Sequence, residues 1–360
     1  MTVATTAIPA EQRRNVSGFV IGAAMLIALT LLVAEIDRFI ANQFLAQGVR
    51  SNPLEYPLTA AAIGLIANLV LRITRLYTLV RPAIRTELYL KVGLVILGAR
   101  ISLGDLLLRG AGGLLQALIM VGAVFYFTWW LGGRLKLPDT LRAVMASANA
   151  VCGVSAAIAA AGAVQARKEE VTYITALVIL TALPMMVLMP PIAHALSLPP
   201  DVAGAWFGGN IDTTAAVVGA GTIFSPRAQE VAAVVKTAQN VMIGFVAFGL
   251  ALYFATVVRR NPDERPTPRL IWQRFPKFVI GFVLVSVLAS LRVFPPELVR
   301  EMDTISKWIF ALAFISIGLD FSLAEVRRAG WRPIAVYLGA TVFNTLLALA
   351  VSSVIFGLLF

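Results

Sequence analysis

The sequence predicts an all-α polytopic membrane protein with about ten or eleven membrane segments. Hydrophobic residues make up 59% of the 360 residues, and charged residues make up only 14%. The mean hydropathy of +0.84 is too high for a soluble globular protein. Apolar runs long enough to cross a bilayer recur along the whole chain, and short basic stretches separate them.

The apolar runs define the segments in order. Residues 16–35 follow the stretch MTVATTAIPAEQRRN without an evident small-residue cleavage site, so we expect this run to be kept as the first span. The later runs lie at 57–72, 87–101, 111–131, 139–165, 171–192, 201–222, 229–258, 276–292, 304–320 and 332–358.

The net charge of +11 comes from short basic stretches between the apolar runs. This pattern indicates the positive-inside rule and not nucleic-acid binding. It predicts a multi-pass protein of a bacterial inner membrane with a cytoplasmic N-terminus. The stretches expected in the cytoplasm are 72–85, 132–142, 257–277 and 324–332.

Two segments carry small and polar residues at their centres. The first, 139–165, is rich in alanine and is interrupted by "NAVCGVS", and the second, 201–222, is interrupted by "GGNIDTT". Paired interruptions of this kind predict discontinuous helices around a binding site at the membrane midplane. Close helix packing at small residues is the alternative for either stretch alone. Both a broken crossing and a re-entrant hairpin fit, and the polar cluster 165–170 favours re-entrance.

Asp212 is the predicted ion-coupling residue. A carboxylate within a span costs about 2.5–3.5 kcal/mol by insertion scales, so one that is kept usually faces water, a partner or an ion. The predicted substrate-binding residues flank the two interruptions or lie on the apolar helix that follows them: Asn149, Cys152, Gly153, Ser155, Asn210, Thr213, Thr214, Lys236 and Asn240.

Each of these residues also has a structural interpretation. Lys236 could extend its ammonium group to the membrane interface, Asn149 and Ser155 could cap helix ends, and Cys152 could simply fill space. Lys236 and Asn240 lie four residues apart and share a helix face, whereas Thr237 and Gln239 are expected to diverge from it.

A short internal similarity indicates a repeat. "GARISLGDLLLRG" (98–110) aligns without a gap with "GLDFSLAEVRRAG" (318–330). The two copies lie an odd number of segments apart, so they are expected to run in opposite directions, as in inverted-topology transporters.

Three motifs resemble the YeiH-type family of bacterial membrane proteins, which is labelled as a family of sulfate exporters: "KVGLVILGARISLGDL", "SANAVCGVSAAIAAAGAV" and "GGNIDTTAAVVGAGTIFSPRAQEVAAVVKTAQN". That family is grouped with the bile-acid symporter and cation/proton antiporter superfamily. The resemblance implies inverted repeats, two discontinuous helices that meet at the midplane, and a core domain that moves against a scaffold domain in a homodimer. The core is expected at 87–258 with part of 304–358, and the scaffold at 16–72 and 276–292.

This chain departs from the family pattern at the second motif. The pattern reads "TVHDTAQVVGAG" or "TVHEVAQVVAAG", whereas this chain reads "NIDTTAAVVGAG", with Asp212 at the histidine position and Thr213 at the acidic position. A His-carboxylate pair shuttles protons near neutral pH. An aspartate beside a threonine suits a hard cation better, or a proton only where burial favours the protonated form.

These observations predict a secondary transporter of a small anion, such as sulfate or an organic sulfonate or carboxylate, coupled to H⁺ or Na⁺ and without a cofactor. A cation/proton antiporter is the alternative within transport. A membrane subunit of an enzyme complex is the alternative outside it. The sequence contains no nucleotide-binding loop, HExxH or nucleophile elbow, so we expect no enzyme activity.

Overall fold

The computed structural model describes residues 10–46, 56–101, 103–259, 266–321 and 330–359. Within these ranges the regular secondary structure is helical and contains no strand. Seven helices in the described ranges are long and apolar enough to cross a membrane. The predicted all-α polytopic class is therefore confirmed.

The helices are labelled in chain order. They are α1 (Ala10–Ala46), α2 (Tyr56–Ile73), α3 (Thr86–Leu97), α4 (Leu103–Arg134), α5 (Asp139–Ser147), α6 (Val154–Val164), α7 (Lys168–Ala195), α8 (Pro200–Asn210), α9 (Thr214–Phe224), α10 (Pro226–Tyr253), α11 (Arg269–Arg274), α12 (Phe278–Ser290), α13 (Pro296–Leu319) and α14 (Trp331–Val354). π-helical turns continue α5, α10 and α14 at Ala148–Cys152, Phe254–Val258 and Ile355–Leu359.

Four of the eleven apolar runs do not form long continuous helices. The runs 87–101 and 276–292 hold α3 and α12, of 12 and 13 residues. The runs 139–165 and 201–222 each hold two shorter helices separated by a break. A helix rises about 1.5 Å per residue, so none of these helices alone spans a hydrocarbon core of about 30 Å.

The chain forms two compact units, residues 1–90 with 307–321 and residues 91–306 with 322–360. In the first unit, Gly64 of α2 lies against the backbone of α13 at Ile315 and Gly318. The Asn68 amide donates to the Gly318 and Phe321 carbonyls at 3.3 and 2.6 Å. These contacts join α2 to the end of α13. The assignment of a moving core and a fixed scaffold stays a prediction.

In the second unit, α5 and α6 form hairpin 1, because the chain turns back at the break between them. The Thr140 hydroxyl at the start of α5 donates to Glu170, near the start of α7, at 3.3 Å. The Arg259 guanidinium donates to the carbonyl of Val164, the last residue of α6. The start of α5 and the end of α6 therefore lie at the same end of this unit, which we call mouth 1.

Helices α8 and α9 form hairpin 2 in the same way. Asp201 at the start of α8 pairs with Arg227, which follows the end of α9, at 2.9 Å. Gly204 and Gly208 bring α8 against Ala228 and Ala232 of α10, so α8 and α10 run in the same direction. Both ends of hairpin 2 therefore lie beside the start of α10, at mouth 2.

The two mouths lie at opposite ends of long helices. Helix α10 begins at mouth 2, and its π-helical continuation ends next to Arg259 at mouth 1. Helix α7 begins at mouth 1 and ends just before Pro200 at mouth 2. Each of these helices has 28 residues, which corresponds to about 42 Å. The hairpins thus enter the unit from opposite ends.

The predicted repeat lies partly outside the described residues, because 102 and 322–329 are not among them. The hairpins have the opposed orientation that an inverted repeat would produce. The repeat itself stays a prediction.

We expect mouth 1 to be cytoplasmic, because the described residues there include Arg142, Arg167 and Arg259. Thr267 lies in the basic stretch 257–277, which is also expected in the cytoplasm. In a Cys152→Ser background, Thr267→Cys should therefore resist an impermeant thiol reagent in cells with a permeabilised outer membrane. Ala195→Cys, at the mouth 2 end of α7, should react at once. Both side chains are exposed. Rapid labelling of Thr267→Cys alone would reverse the orientation.

Candidate functional site

The tips of the two hairpins meet inside the second unit. Tip 1 is Ala148–Gly153 and tip 2 is Gly209–Thr213. Gly153 adopts φ +62° and ψ −114°, a conformation that glycine reaches readily and other residues rarely do. A Cβ atom on Gly153 would lie 3.5 Å from the Asp212 Cβ and 3.4 Å from the Asp212 carbonyl. The two predicted interruptions are therefore in direct contact.

The first helix of each hairpin, α5 or α8, ends at a tip. Carbonyl groups at these helix ends accept hydrogen bonds from side chains on α10 and α14. The Gln239 amide donates to the Ala150 carbonyl at 2.8 Å and to the Gly209 carbonyl at 3.5 Å. The Asn344 amide donates to the Asn149 carbonyl at 3.4 Å and to the Asn210 carbonyl at 3.1 Å. Each amide thus bridges both tips. Helix ends leave their last carbonyls without partners inside the helix, which explains why these residues are needed.

Lys236 is 1% exposed, so its ammonium group does not extend to an interface. It donates to the Val151 carbonyl at 2.7 Å and to the Gln239 side-chain oxygen at 2.9 Å. A cation is favourable at this position because the carboxyl end of a helix carries partial negative charge. The expectation that Gln239 diverges from the Lys236 face is wrong, because residues three apart on a helix are neighbours.

Asp212 is 2% exposed. The hydroxyl group of Tyr337, on α14, donates to its carboxylate. Lys236 binds tip 1, and tip 1 contacts Asp212, but among the described ion pairs none joins the two side chains. Both charges are therefore buried in one region, and each is held by neutral groups.

The other predicted site residues lie at the tips or beside them. Thr213 accepts from the Ala216 backbone at 3.2 Å and so caps α9. Asn240 donates to Thr214 at 3.4 Å, and Thr345 donates to Asn210 at 3.1 Å. Cys152 is buried at the end of tip 1, and Ser155 is half-buried in the first turn of α6. The structure therefore brings the whole predicted set into one region.

Sequence reasoning missed Tyr337, Asn344 and Thr345. All three lie on α14, where Asn344 and Thr345 follow Tyr337 by seven and eight residues, so they lie on the same side of the helix. This polar spacing within an apolar segment was the available signal. It is weak, because the hydroxyl groups of Thr341 and Thr345 also lie within hydrogen-bond distance of backbone carbonyls of their own helix.

The site combines two kinds of binding capacity. Helices α6 and α9 begin at the tips, and helix N-termini favour anions. Carboxylate and amide oxygens from Asp212, Asn149 and Asn344 favour donors or cations. Among the described residues, no group of three His, Cys, Asp or Glu side chains could hold a metal ion.

Comparison with known proteins agrees with the three sequence motifs. A family model described as conserved hypothetical protein 698 matches residues 24–337. The chain belongs to this family. The family predicted from the motifs is confirmed, and the chain is a multi-pass membrane protein.

Relatives of the family carry the name UPF0324 membrane protein. One from Rhodopirellula baltica is 39% identical over 87% of this chain and 60% of its own length. One from Nitratidesulfovibrio vulgaris is 33% identical over 75% of this chain and 76% of its own length. UPF0324 membrane protein TauZ of Paracoccus pantotrophus is 28% identical over 88% of this chain and 90% of its own length.

The chain spans only 60% and 58% of the length of two of the relatives that it matches. No solved structure matches the chain.

Replacing Gly153 by alanine should destabilise the protein strongly. The new Cβ would lie 2.6 Å from Val178 Cγ1, and the backbone conformation alone costs about 1–3 kcal/mol for a residue other than glycine. Gly122→Ala is the matched control, because nothing lies within 4 Å of its Cβ position. Thermal unfolding of the purified proteins in detergent tests this. Equal midpoints for both variants would show that tip 1 tolerates a side chain.

Proposed function

We propose that the chain is a secondary active transporter of a small anion, such as sulfate or an organic sulfonate or carboxylate. The main support is that two hairpins enter the second unit from opposite ends and meet beside the buried residues Asp212 and Lys236. In this proposal the protein acts at a bacterial inner membrane, with its N-terminus in the cytoplasm, as a homodimer, and is coupled to H⁺ or Na⁺. It is not an enzyme.

The length of the hairpin arms supports a site at the membrane midplane. Helix α8 has 11 residues and therefore reaches about 15 Å inward from mouth 2. Lys236 lies ten residues beyond the start of α10, at a similar depth. This is about half the thickness of a hydrocarbon core of about 30 Å. Irregular backbone is tolerated at that depth where protein surrounds it or where it lines a cavity.

The polarity of the helix ends supports an anionic substrate. The carbonyl ends of α5 and α8 already accept hydrogen bonds from Lys236, Gln239 and Asn344. The amino ends of α6 and α9 have fewer side-chain partners: Thr213 caps α9, and among the described residues no side chain caps α6. Their partial positive charge is therefore available to a ligand with negative charge.

The contacts at mouth 2 support alternating access. Alternating charges there connect α8, α10, α13 and the turn between α3 and α4, which holds Arg100. Arg227 pairs with Asp201 and Glu230, and Arg100 pairs with Glu230 and Asp303. The side chains are between 19% and 34% exposed, so water competes for each pair and no single pair is strong. Such pairs can break and re-form while the apolar contacts of the hairpin persist.

A cation/proton antiporter is the second candidate. The hydrogen bond from Tyr337 to Asp212 favours this candidate, because it places a hydroxyl group beside a buried carboxyl group.

Transport measurements in proteoliposomes distinguish the two candidates. Uptake of labelled sulfate, or of a simple sulfonate or carboxylate, should follow an imposed Na⁺ or pH gradient. Exchange of Na⁺ for H⁺ with no anion movement would favour the antiporter.

Asp212→Asn should abolish gradient-driven uptake and leave the fold intact. An asparagine oxygen can still accept from Tyr337, and the hydrogen bonds of Lys236 do not involve Asp212. The change thus removes the charge and little of the packing. Asp37→Asn is the matched control, because Asp37 also accepts from a hydroxyl group, that of Thr59, but in the other unit, and it should keep uptake. Uptake against a gradient by a stable Asp212→Asn protein would exclude Asp212 from coupling.

The transported anion should protect Cys152 from a small permeant thiol reagent. Cys152 lies in tip 1, two residues before the start of α6, so an anion at that helix end would block the approach to its thiol. The labelling rate is measured with and without an anion that is shown to be transported. An introduced cysteine at Ala195, which is exposed at mouth 2, should show no protection. Equal rates for Cys152 would make it a packing residue.

A further inference from the structure

Two amide oxygens at the hairpin tips, Asn149 Oδ1 and Asn344 Oδ1, are buried without a hydrogen-bond partner among the described residues. The two residues are 2% and 1% exposed. Buried polar atoms are nearly always satisfied in folded proteins, so each exception calls for a ligand, a water molecule or a specific role.

The orientation of both amides is fixed by their NH₂ groups. Asn149 donates to the Tyr337 carbonyl at 3.3 Å, and Asn344 donates to the Asn149 and Asn210 carbonyls. A carbonyl oxygen only accepts, so rotating either amide would place two acceptors against each other. The two free atoms are therefore oxygens, and they belong to one hydrogen-bonded cluster.

Three neighbouring donor groups already have acceptors. The Tyr337 hydroxyl donates to Asp212, the Thr345 hydroxyl donates to Asn210, and the Lys236 ammonium donates to Val151 and Gln239. None of these hydrogen bonds reaches Asn149 Oδ1 or Asn344 Oδ1. A cation would satisfy both oxygens without a change in the existing hydrogen bonds.

We propose that Asn149 Oδ1 and Asn344 Oδ1 are ligands of a Na⁺ ion. The ligands are neutral oxygens, and Lys236 already balances the single negative charge of Asp212, so a monovalent ion suits the site better than Ca²⁺, which is held by several carboxylates. As the coupling ion of the proposed transporter, Na⁺ would leave one net positive charge at the tips. An anion at the amino ends of α6 and α9 would neutralise it, so each ion would favour the binding of the other.

The test measures thermal unfolding of the purified full-length protein in detergent, in NaCl, KCl or choline chloride at equal ionic strength. We expect the unfolding midpoint to rise with Na⁺ in a saturable way and not with K⁺ or choline. Asn149→Ala should abolish this shift or raise the half-maximal Na⁺ concentration about tenfold. Asn149→Ser, which keeps a small polar residue at the tip, serves the same purpose if the alanine variant does not fold.

Asn68→Ala is the matched control, because it removes a buried amide that also donates to backbone carbonyls, but in the other unit. It should keep the full Na⁺ shift. Identical midpoints of the unaltered protein in NaCl and KCl would overturn the proposal, and so would a full shift in Asn149→Ala or a lost shift in Asn68→Ala.

The inference and the proposed function fail in different ways. Anion uptake driven by a pH gradient, with no Na⁺ shift in unfolding, would refute the Na⁺ site and leave the transporter. A Na⁺-specific shift lost in Asn149→Ala, with no anion uptake under any gradient, would refute anion transport and leave the Na⁺ site.

Discussion

The structure of the second unit depends on satisfying backbone groups where two helices break inside an apolar interior. Each break exposes carbonyl groups that have no partner within their own helix and no bulk water nearby. Gln239 and Asn344 each bridge both tips, and Lys236 binds a fifth carbonyl, that of Val151. These three side chains come from two long helices, so α10 and α14 must carry polar residues near mid-length. The bridging hydrogen bonds of Gln239 and Asn344 also hold the two tips together.

Close packing of the hairpin arms follows from the same requirement. The tips reach their donors only if the arms lie directly against the long helices. Gly204 and Gly208 allow this, because a Cβ atom at either position would lie less than 3.0 Å from atoms of α10. Gly221 lets α9 approach Gln229 equally closely. The small residues of these segments therefore serve packing, whereas their polar residues serve the breaks, so the two interpretations of the sequence are both needed.

Composition and apolar spacing were sufficient to predict the all-α membrane fold, and the clusters around Gly153 and Asp212 marked where the helices break. Only the polar cluster 165–170 indicated the return of a segment to its own side, because a hairpin and a broken crossing otherwise give the flanking loops the same pattern. The return depends on contacts distant in sequence, such as Thr140 with Glu170. Tyr337 and Asn344 were missed because one tyrosine and one asparagine in an apolar run resemble ordinary packing residues. Gln239 was misplaced because its i, i+3 relation to Lys236 was overlooked.

The way in which the two buried charges are held bears on how such a site could work. A direct Asp212–Lys236 pair would neutralise both residues and leave little capacity for a ligand, and breaking a buried pair costs about 3–5 kcal/mol. Here Lys236 is bound by a helix carboxyl end and Asp212 by a tyrosine hydroxyl. Each charged group has its own neutral hydrogen-bond partners, so the region tolerates burial. An ion can bind without breaking the hydrogen bonds of either charged side chain, because helix amino ends and free amide oxygens lie beside them. A site of this kind can fill and empty without separating a buried ion pair, which is the condition for rapid exchange between the two sides of a membrane.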